Sequence, residues 1–137
     1  MKRKYIWPIM TVVVCIIIFV FSSQSGGEST NVSSRFVIFF QSIFGDFFPE
    51  EFLVFIVRKG AHISIYFLLG IFAALSWKRF SFSVLFCFLY ACSDEIHQLF
   101  VPGRNGNIAD VGIDAIGFVL GSAIVSMFFW AIKRGCK

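Results

Sequence analysis

Three short runs of this sequence concentrate the side chains that could bind a ligand or transfer a proton. Carboxylates and imidazoles exchange protons, and a guanidinium fork can hold a carboxylate or a phosphate. The chemistry open to such a set is ligand binding, acid–base catalysis or metal coordination. In chain order the candidates are Lys59 and His62, then Asp94, Glu95, His97, Gln98 and Arg104, and finally Asp110 and Asp114.

Helical spacing predicts which of these side chains share a face. Residues three or four positions apart lie on the same side of an α-helix. Glu95, by contrast, points roughly 100° away from Asp94. The spacing predicts one polar stripe on each of three helices, namely Lys59, His62 and Tyr66; Asp94, His97 and Gln98; and Asp110 and Asp114.

The elements that carry these stripes are too apolar for a protein dissolved in water. Of 137 residues, 58% are hydrophobic and only 15% are charged, and the 20 phenylalanines exceed what a core of this size could cover. A helix of roughly 20 apolar residues crosses a hydrocarbon layer of about 30 Å. We therefore predict one all-α membrane domain over residues 1–137, a polytopic helical bundle with four transmembrane helices at about 5–24, 59–77, 81–100 and 109–132.

The first of these spans has an alternative interpretation. A basic start followed by an apolar run is also typical of a secretory signal peptide. The residues Phe21-Ser22-Ser23-Gln24 make a poor cleavage site and the apolar run is long, so the sequence favours a span.

Charge predicts the orientation in the membrane, because short loops rich in lysine and arginine stay in the cytoplasm. If the amino terminus is inside, the outer half holds every acid, and Arg35, Arg58, Lys59 and Arg104 accompany them there. Both termini are then cytoplasmic, and the net charge of +4 indicates contact with anionic lipid rather than nucleic acid. The cytoplasmic ends carry cations and no acid: Lys2, Arg3, Lys4, Lys78, Arg79, Lys133, Arg134 and Lys137.

The segment between the first two spans, residues 25–58, changes character along its length. Residues 25–29 are polar and predict a flexible loop. The apolar stretches that follow predict two short interfacial helices, the second beginning at Pro49. A fifth span is excluded because Gly45 and Asp46 interrupt the apolar run.

Counting from the cytoplasmic boundaries places the polar residues in one layer. His62 falls roughly 6 Å and Asp94 roughly 9 Å below the outer boundary, with Asp114 within a few Å of it. Since a charge facing lipid is costly, we expect these groups to face one another in a shared outer-face pocket. Several of these residues have simpler alternatives. Arg58 and Lys59 could anchor the helix at the interface, and Asp110 could cap the last helix. His62 could be a packing residue, and Glu95 and Gln98 could form hydrogen bonds between helices.

These segments resemble the VanZ-like family of membrane proteins, whose founding members are associated with lowered susceptibility to the glycopeptide antibiotic teicoplanin. The resemblance covers roughly residues 21–121 and implies a membrane protein of antibiotic response. Many family members carry Asn in place of Asp114, which implies that ionisation there is not required. The matching segments are Ser22-Ser23-Gln24-Ser25; Arg58-Lys59-Gly60-Ala61-His62 with Tyr66, Leu69 and Gly70; Ser93-Asp94-Glu95-Ile96-His97-Gln98-Leu99-Phe100-Val101-Pro102-Gly103-Arg104; and Asp110-Val111-Gly112-Ile113-Asp114 with Gly117 and Gly121.

The function predicted from residues and resemblance together is binding or shielding at the cell envelope, with no cofactor and no metal. The partners expected are membrane lipid and either a lipoglycopeptide antibiotic or a lipid-linked cell-wall precursor. The predicted ligand-binding residues are Lys59, His62, Asp94, Glu95, His97, Gln98, Arg104, Asp110 and Asp114.

Two other mechanisms stay open. In an intramembrane hydrolase or transferase, Asp94 and Glu95 would divide acid and base roles, and His62 or His97 would be a nucleophile or proton shuttle. Arg104 would then clamp a phosphate, but no serine or cysteine stands in a recognisable nucleophile setting. A metal site could draw on the same imidazoles and carboxylates, although their spacing matches no known zinc pattern.

Overall fold

A computed structural model describes residues 5–45 and 47–135 of the protein. Within this part of the chain all regular structure is helical, which confirms the all-α prediction. The charges assigned above to Lys2, Arg3, Lys4, Asp46 and Lys137 lie outside the described residues. The helices are α1 (Ile6–Ser22), α2 (Gly26–Phe44), α3 (Glu50–Trp77), α4 (Phe80–Gln98) and α5 (Ile108–Gly135).

By length and composition, the described helices provide two or three candidate membrane spans rather than clearly four. Helices α3 and α5, with 28 residues each, are long and apolar enough on their own. A third candidate arises if α1 and residues Gly26–Ile43, which meet at a bend of 104°, form one broken span. Helix α1 is short, with 17 residues, and Asp94 and Glu95 lower the hydropathy of α4 near its end.

The prediction of a second short interfacial helix after the first span is wrong, because α3 runs unbroken from Glu50 into the span predicted at 59–77. Pro49 is the residue before the first turn, and Glu50 and Glu51 occupy that turn as expected. Arg58 and Lys59 do not interrupt the helix, since both residue types favour helical backbone. The charged pair therefore lies inside α3 rather than at its beginning.

The flexible loop predicted at residues 25–29 is also wrong, because these residues start α2. The Ser25 hydroxyl accepts from the Glu28 backbone N–H, and the Glu28 carboxylate accepts from the Ser25 backbone N–H at 2.9 Å. The hydrogen bonds from Ser25 lower the pKa of the exposed Glu28 carboxyl. This Ser-x-x-Glu capping box is a start signal that composition alone conceals.

The most extensive helix contact joins α3 and α5, which pack backbone to backbone. A Cβ atom at Gly117 would lie 2.4 Å from the carbonyl oxygen of Ile63, and one at Gly121 would lie 2.2 Å from that of Phe67. Gly70 makes a similar approach from α3 toward α5. Small residues thus set the distance between these two helices, as they commonly do in membranes.

Helices α1 and α4 pack beside this pair, and α2 packs against α3. The Thr11 and Ser76 hydroxyls are 3.0 Å apart, so the start of α1 lies beside the end of α3. The Tyr90 hydroxyl donates to the Cys15 carbonyl at 2.6 Å and ties α4 to α1. Consequently α1 runs opposite to α3 and carries its polar last residues toward the first half of α3.

Candidate ligand site at the polar end of the bundle

Five chain segments meet at one end of the helices, which we call the polar end of the bundle. Helices α1 and α4 finish there, α5 begins there, α3 passes there near Lys59 and His62, and residues 99–107 cross over it. The Gly26 N–H donates to the Pro102 carbonyl at 3.1 Å, and a Cβ at Gly26 would lie 2.0 Å from the Gly103 oxygen. Glycine at position 26 therefore lets the crossing segment contact the start of α2.

The first polar group at this end, the α1–α4 cluster, consists of Ser22, Asp94 and Gln98. Asp94 is only 4% exposed, and one carboxylate oxygen accepts from the Ser22 hydroxyl at 2.9 Å and from the Gln98 amide at 3.1 Å. Two neutral donors thus replace the water that this carboxylate loses on burial. The predicted Asp94 and Gln98 stripe faces the end of α1, 72 residues away in sequence.

Arg104 extends this cluster and secures the end of α1. Its guanidinium donates to the backbone carbonyls of Phe21 at 3.0 Å and Gln24 at 3.1 Å, and to the Gln98 side-chain oxygen at 3.3 Å. Burial and the nearby charge of Arg58 lower the pKa of Arg104, and the surrounding carboxylates oppose that change. Since none of the described carboxylates forms an ion pair with Arg104, its positive charge has no direct counterion in this part of the chain.

The α3–α5 cluster begins with an ion pair between Lys59 and Asp110. The Lys59 ammonium also lies 5.6 Å from the centre of the Phe55 ring. Asp110 is not the cap of α5, because the Asn107 side chain accepts from the Ala109 N–H at 3.1 Å and takes that role. The pair instead joins α3 to α5 across the polar end.

This ion pair should couple the two helices energetically. We expect Lys59→Met to lower the free energy of unfolding more than Lys59→Met combined with Asp110→Asn, because a lone partner leaves a half-desolvated charge. The two side chains are 22% and 24% exposed, so their ion pair is intermediate between a surface pair and a buried pair. We therefore expect a coupling energy of about 1 kcal/mol. Thermal unfolding of the four variants in detergent measures it. Strictly additive changes would contradict an energetic pair.

Deeper in the same cluster, His62 approaches Asp114 and Tyr66. The His62 Nδ1 atom lies 3.3 Å from an Asp114 carboxylate oxygen, although the two are not aligned as a hydrogen bond. Asp114 and Tyr66 are fully buried, and among the described residues neither the Tyr66 hydroxyl nor the Asp114 carboxylate has a hydrogen-bond partner. Buried polar atoms without a partner mark a place where water or a ligand group can bind.

Glu95 points toward the crossing segment, away from Asp94, as its position in the helix predicts. One of its oxygens accepts from the Asn107 N–H at 2.8 Å, and the other is buried without a hydrogen-bond partner among the described residues. Glu95 therefore holds the start of α5 while Asp94 holds the end of α1. The two neighbouring acids contact different parts of the polar end.

His97, like Glu95, lies outside the two clusters. Its ring stacks on Phe19 with centroids 4.6 Å apart, and its Nε2 atom lies 3.1 Å from the Ser23 hydroxyl. Both contacts lie on the α1 side of α4, away from His62. The contact between Ser23 and His97 could not be predicted from local patterns, because the two residues are 74 positions apart in the sequence.

A cavity of about 270 Å³ opens beside these clusters, between α1, α2, α3 and Arg104. Its walls are mostly apolar, and polar side chains gather where it meets the polar end. Sequence reasoning assigned Arg58 to interfacial anchoring and did not include α2 in the site. Residues on the wall include Ile18, Val32, Phe36 and Ile65, and the polar ones include Ser22, Arg58, His62 and Arg104.

Within residues 5–45 and 47–135, no group of three or more His, Cys, Asp or Glu side chains is arranged to hold a metal ion. Hydrogen bonds and ion pairs between side chains and backbone join the residues of the polar clusters described above.

Long apolar helices packed through small residues, with the buried carboxylates of Asp94, Glu95 and Asp114 near one end, are typical of a helical membrane protein. The sequence matches the VanZ/LLP1 family over residues 7–130, most of the chain, and the protein belongs to this family. No curated protein and no solved structure matches the chain.

Proposed function

We propose that this VanZ-like protein binds an amphiphilic molecule at an outer-face site and thereby lowers the susceptibility of the cell envelope to teicoplanin. The observation that carries the proposal is the junction of an apolar cavity with cationic and imidazole side chains, Arg58, His62 and Arg104. An amphiphile has a matching division between an apolar tail and a polar head. A cavity of about 270 Å³ lies just below the roughly 300–1,000 Å³ usual for small-molecule sites, so a tail fits better than a glycopeptide scaffold.

The topology proposed with this function has four spans, α1, α3, α4 and α5, with both termini in the cytoplasm. The contacts of Thr11 with Ser76 and of Ser22 with Asp94 support it, because they align α1 beside α3 and α4 over most of its length. If α1 crosses the membrane, the 104° bend turns α2 close to the membrane plane. Exposed apolar side chains such as Phe36 and Phe39 on α2 suit that interface.

The alternative function is a hydrolase or transferase acting on a lipid-linked envelope precursor or lipoglycopeptide. One contact favours it, since His97 Nε2 lies 3.1 Å from the Ser23 hydroxyl, within reach for a base and a nucleophile. However, the Ser23 hydroxyl also donates to the Phe19 carbonyl at 2.7 Å, so its proton is engaged by the backbone. Binding is therefore the better-supported proposal.

Incubating the purified protein with teicoplanin, and separately with lipid-linked cell-wall precursors, tests both functions. Mass spectrometry should find the compounds unchanged, and titration should give saturable teicoplanin binding. We expect His62→Ala to weaken that binding about tenfold, because it removes a polar group from the cavity. Ser64→Ala is the matched control, since Ser64 lies on the same helix, is exposed and donates only to the Gly60 carbonyl.

A changed mass would establish an enzyme and reject simple binding. Non-saturable teicoplanin binding would reject the proposed site at the cavity. Equal teicoplanin affinity of His62→Ala and the wild type would also reject it. In cells, His62→Ala should remove teicoplanin protection at unchanged membrane abundance, whereas Ser64→Ala should retain it.

A further inference from the structure

Two arginines from different segments line the same cavity. Arg58 comes from α3 and Arg104 from the segment that crosses the polar end, and both line the cavity. They are close enough for the charge of Arg58 to lower the pKa of Arg104. Neither forms an ion pair with the described residues, and Arg58 makes no hydrogen bond with them either.

Such an arrangement favours an anionic ligand. Two positive charges held close together in a partly desolvated place repel each other. An anion bound between them is attracted by both and offsets this repulsion. Guanidinium groups hold phosphate oxygens through paired hydrogen bonds, which makes phosphate a suitable head group. Arg104 is fixed by its contacts with Phe21 and Gln24, whereas Arg58 is free to reorient toward a ligand.

The rest of the cavity selects an apolar chain. Ile18, Val32, Phe36 and Ile65 come from three different helices and line its open groove with hydrocarbon surface. A free phosphate ion would leave that surface in contact with water, whereas a lipid covers it and supplies the anion at once. Shape and charge therefore select the same class of molecule.

We propose that the cavity binds one acyl chain of an anionic phospholipid, with the lipid phosphate held between Arg58 and Arg104. This inference rests on the proposed function in that it names the native ligand class of the same site. An acylated antibiotic would enter by displacing this lipid. Binding needs no covalent step, so the lipid leaves unchanged.

Native mass spectrometry of the full chain in an uncharged detergent tests the lipid. Phosphatidylglycerol, phosphatidylcholine, diacylglycerol and inorganic phosphate are added separately. We expect phosphatidylglycerol to bind about tenfold more tightly than diacylglycerol, with phosphatidylcholine between them, because hydrogen bonds to charged groups add to chain burial. Equal binding of phosphatidylglycerol and diacylglycerol overturns the proposal, as does displacement of bound phosphatidylglycerol by inorganic phosphate.

Variants separate the head-group contact from the chain contact. Arg58→Gln should reduce phosphatidylglycerol affinity about tenfold without affecting folding, since Arg58 forms no hydrogen bond or ion pair with the described residues. Arg35→Gln, on the exposed face of α2, is the control and should bind normally. Val32→Trp should fill the cavity and reduce binding of every lipid. Wild-type affinity in Arg58→Gln overturns the phosphate assignment, and wild-type affinity in Val32→Trp overturns the cavity assignment.

A competition experiment distinguishes failure of this inference from failure of the proposed function. If teicoplanin binds saturably but phosphatidylglycerol neither binds nor competes, the lipid assignment is wrong and the proposed function remains. If phosphatidylglycerol binds with the Arg58 dependence given above and teicoplanin does not bind, the antibiotic function is wrong and the lipid site remains.

Discussion

Replacing Gly117 and Gly121 together by alanine is expected to prevent most of the protein from accumulating in folded form. Each new Cβ atom would lie 2.2 to 2.4 Å from a backbone oxygen of α3, so the α3 and α5 backbones would have to separate. Overpacking costs about 1–3 kcal/mol per site where side chains can adjust, and backbone adjusts less readily. The resulting loss is comparable to the stability of a small domain.

Size-exclusion profiles and thermal unfolding in detergent measure this effect. Gly112→Ala is the matched control on the same helix, because a Cβ there meets no atom within 4 Å. It should be neutral or stabilising by up to about 1 kcal/mol, since alanine favours helix more than glycine. A Gly117 and Gly121 double variant that melts like Gly112→Ala would show that the α3 and α5 contact is looser than described.

Arg104→Ala is expected to give the second-largest effect, a loss of roughly 3 kcal/mol in the free energy of unfolding. The change removes the guanidinium donor from the Gln24 carbonyl and the Gln98 side-chain oxygen, and it leaves the Phe21 carbonyl with only the Gln24 N–H at 3.3 Å. Hydrogen bonds to charged groups contribute about 1.5–3 kcal/mol each, and partial exposure of Arg104 reduces their sum.

Arg104→Lys distinguishes geometry from charge, because lysine keeps the charge and cannot form three divergent hydrogen bonds. We expect it to recover less than half of the lost stability, as measured by thermal unfolding, with Arg35→Ala unchanged. Full recovery by lysine would mean that charge alone fixes the end of α1. Arg104, which the sequence predicts as a clamp for phosphate, thus also holds the end of α1 beside the cavity.

The predicted site residues fall into two groups, those held by protein partners and those that line the cavity. Asp94, Gln98 and Glu95 have protein partners and position the ends of α1 and α5. His62 and Arg58 line the cavity, and Arg58 forms no hydrogen bond or ion pair with the described residues. We therefore expect conservative changes at the first group to alter stability before binding, and changes at the second group to alter binding alone.

Apolar runs in the sequence are sufficient to place the helices that form most of the bundle. The first span predicted at residues 5–24 corresponds to α1, Ile6–Ser22, and the last, at 109–132, lies within α5, Ile108–Gly135. These predictions succeed because apolar runs act locally. The start of α2 was wrongly predicted as a loop although a local signal was present there, the capping box of Ser25 and Glu28.

Which polar side chains contact one another depends on the tertiary structure and could not be predicted from local patterns. Asp94 contacts Ser22 across 72 positions, and His97 lies on the α1 side of α4 rather than beside His62. The cavity and the facing of Arg58 toward Arg104 depend on how α1, α2 and α3 are rotated and spaced. A helical pattern fixes which residues share a face, but the rotation of one helix against another is set by packing of small and large side chains between them.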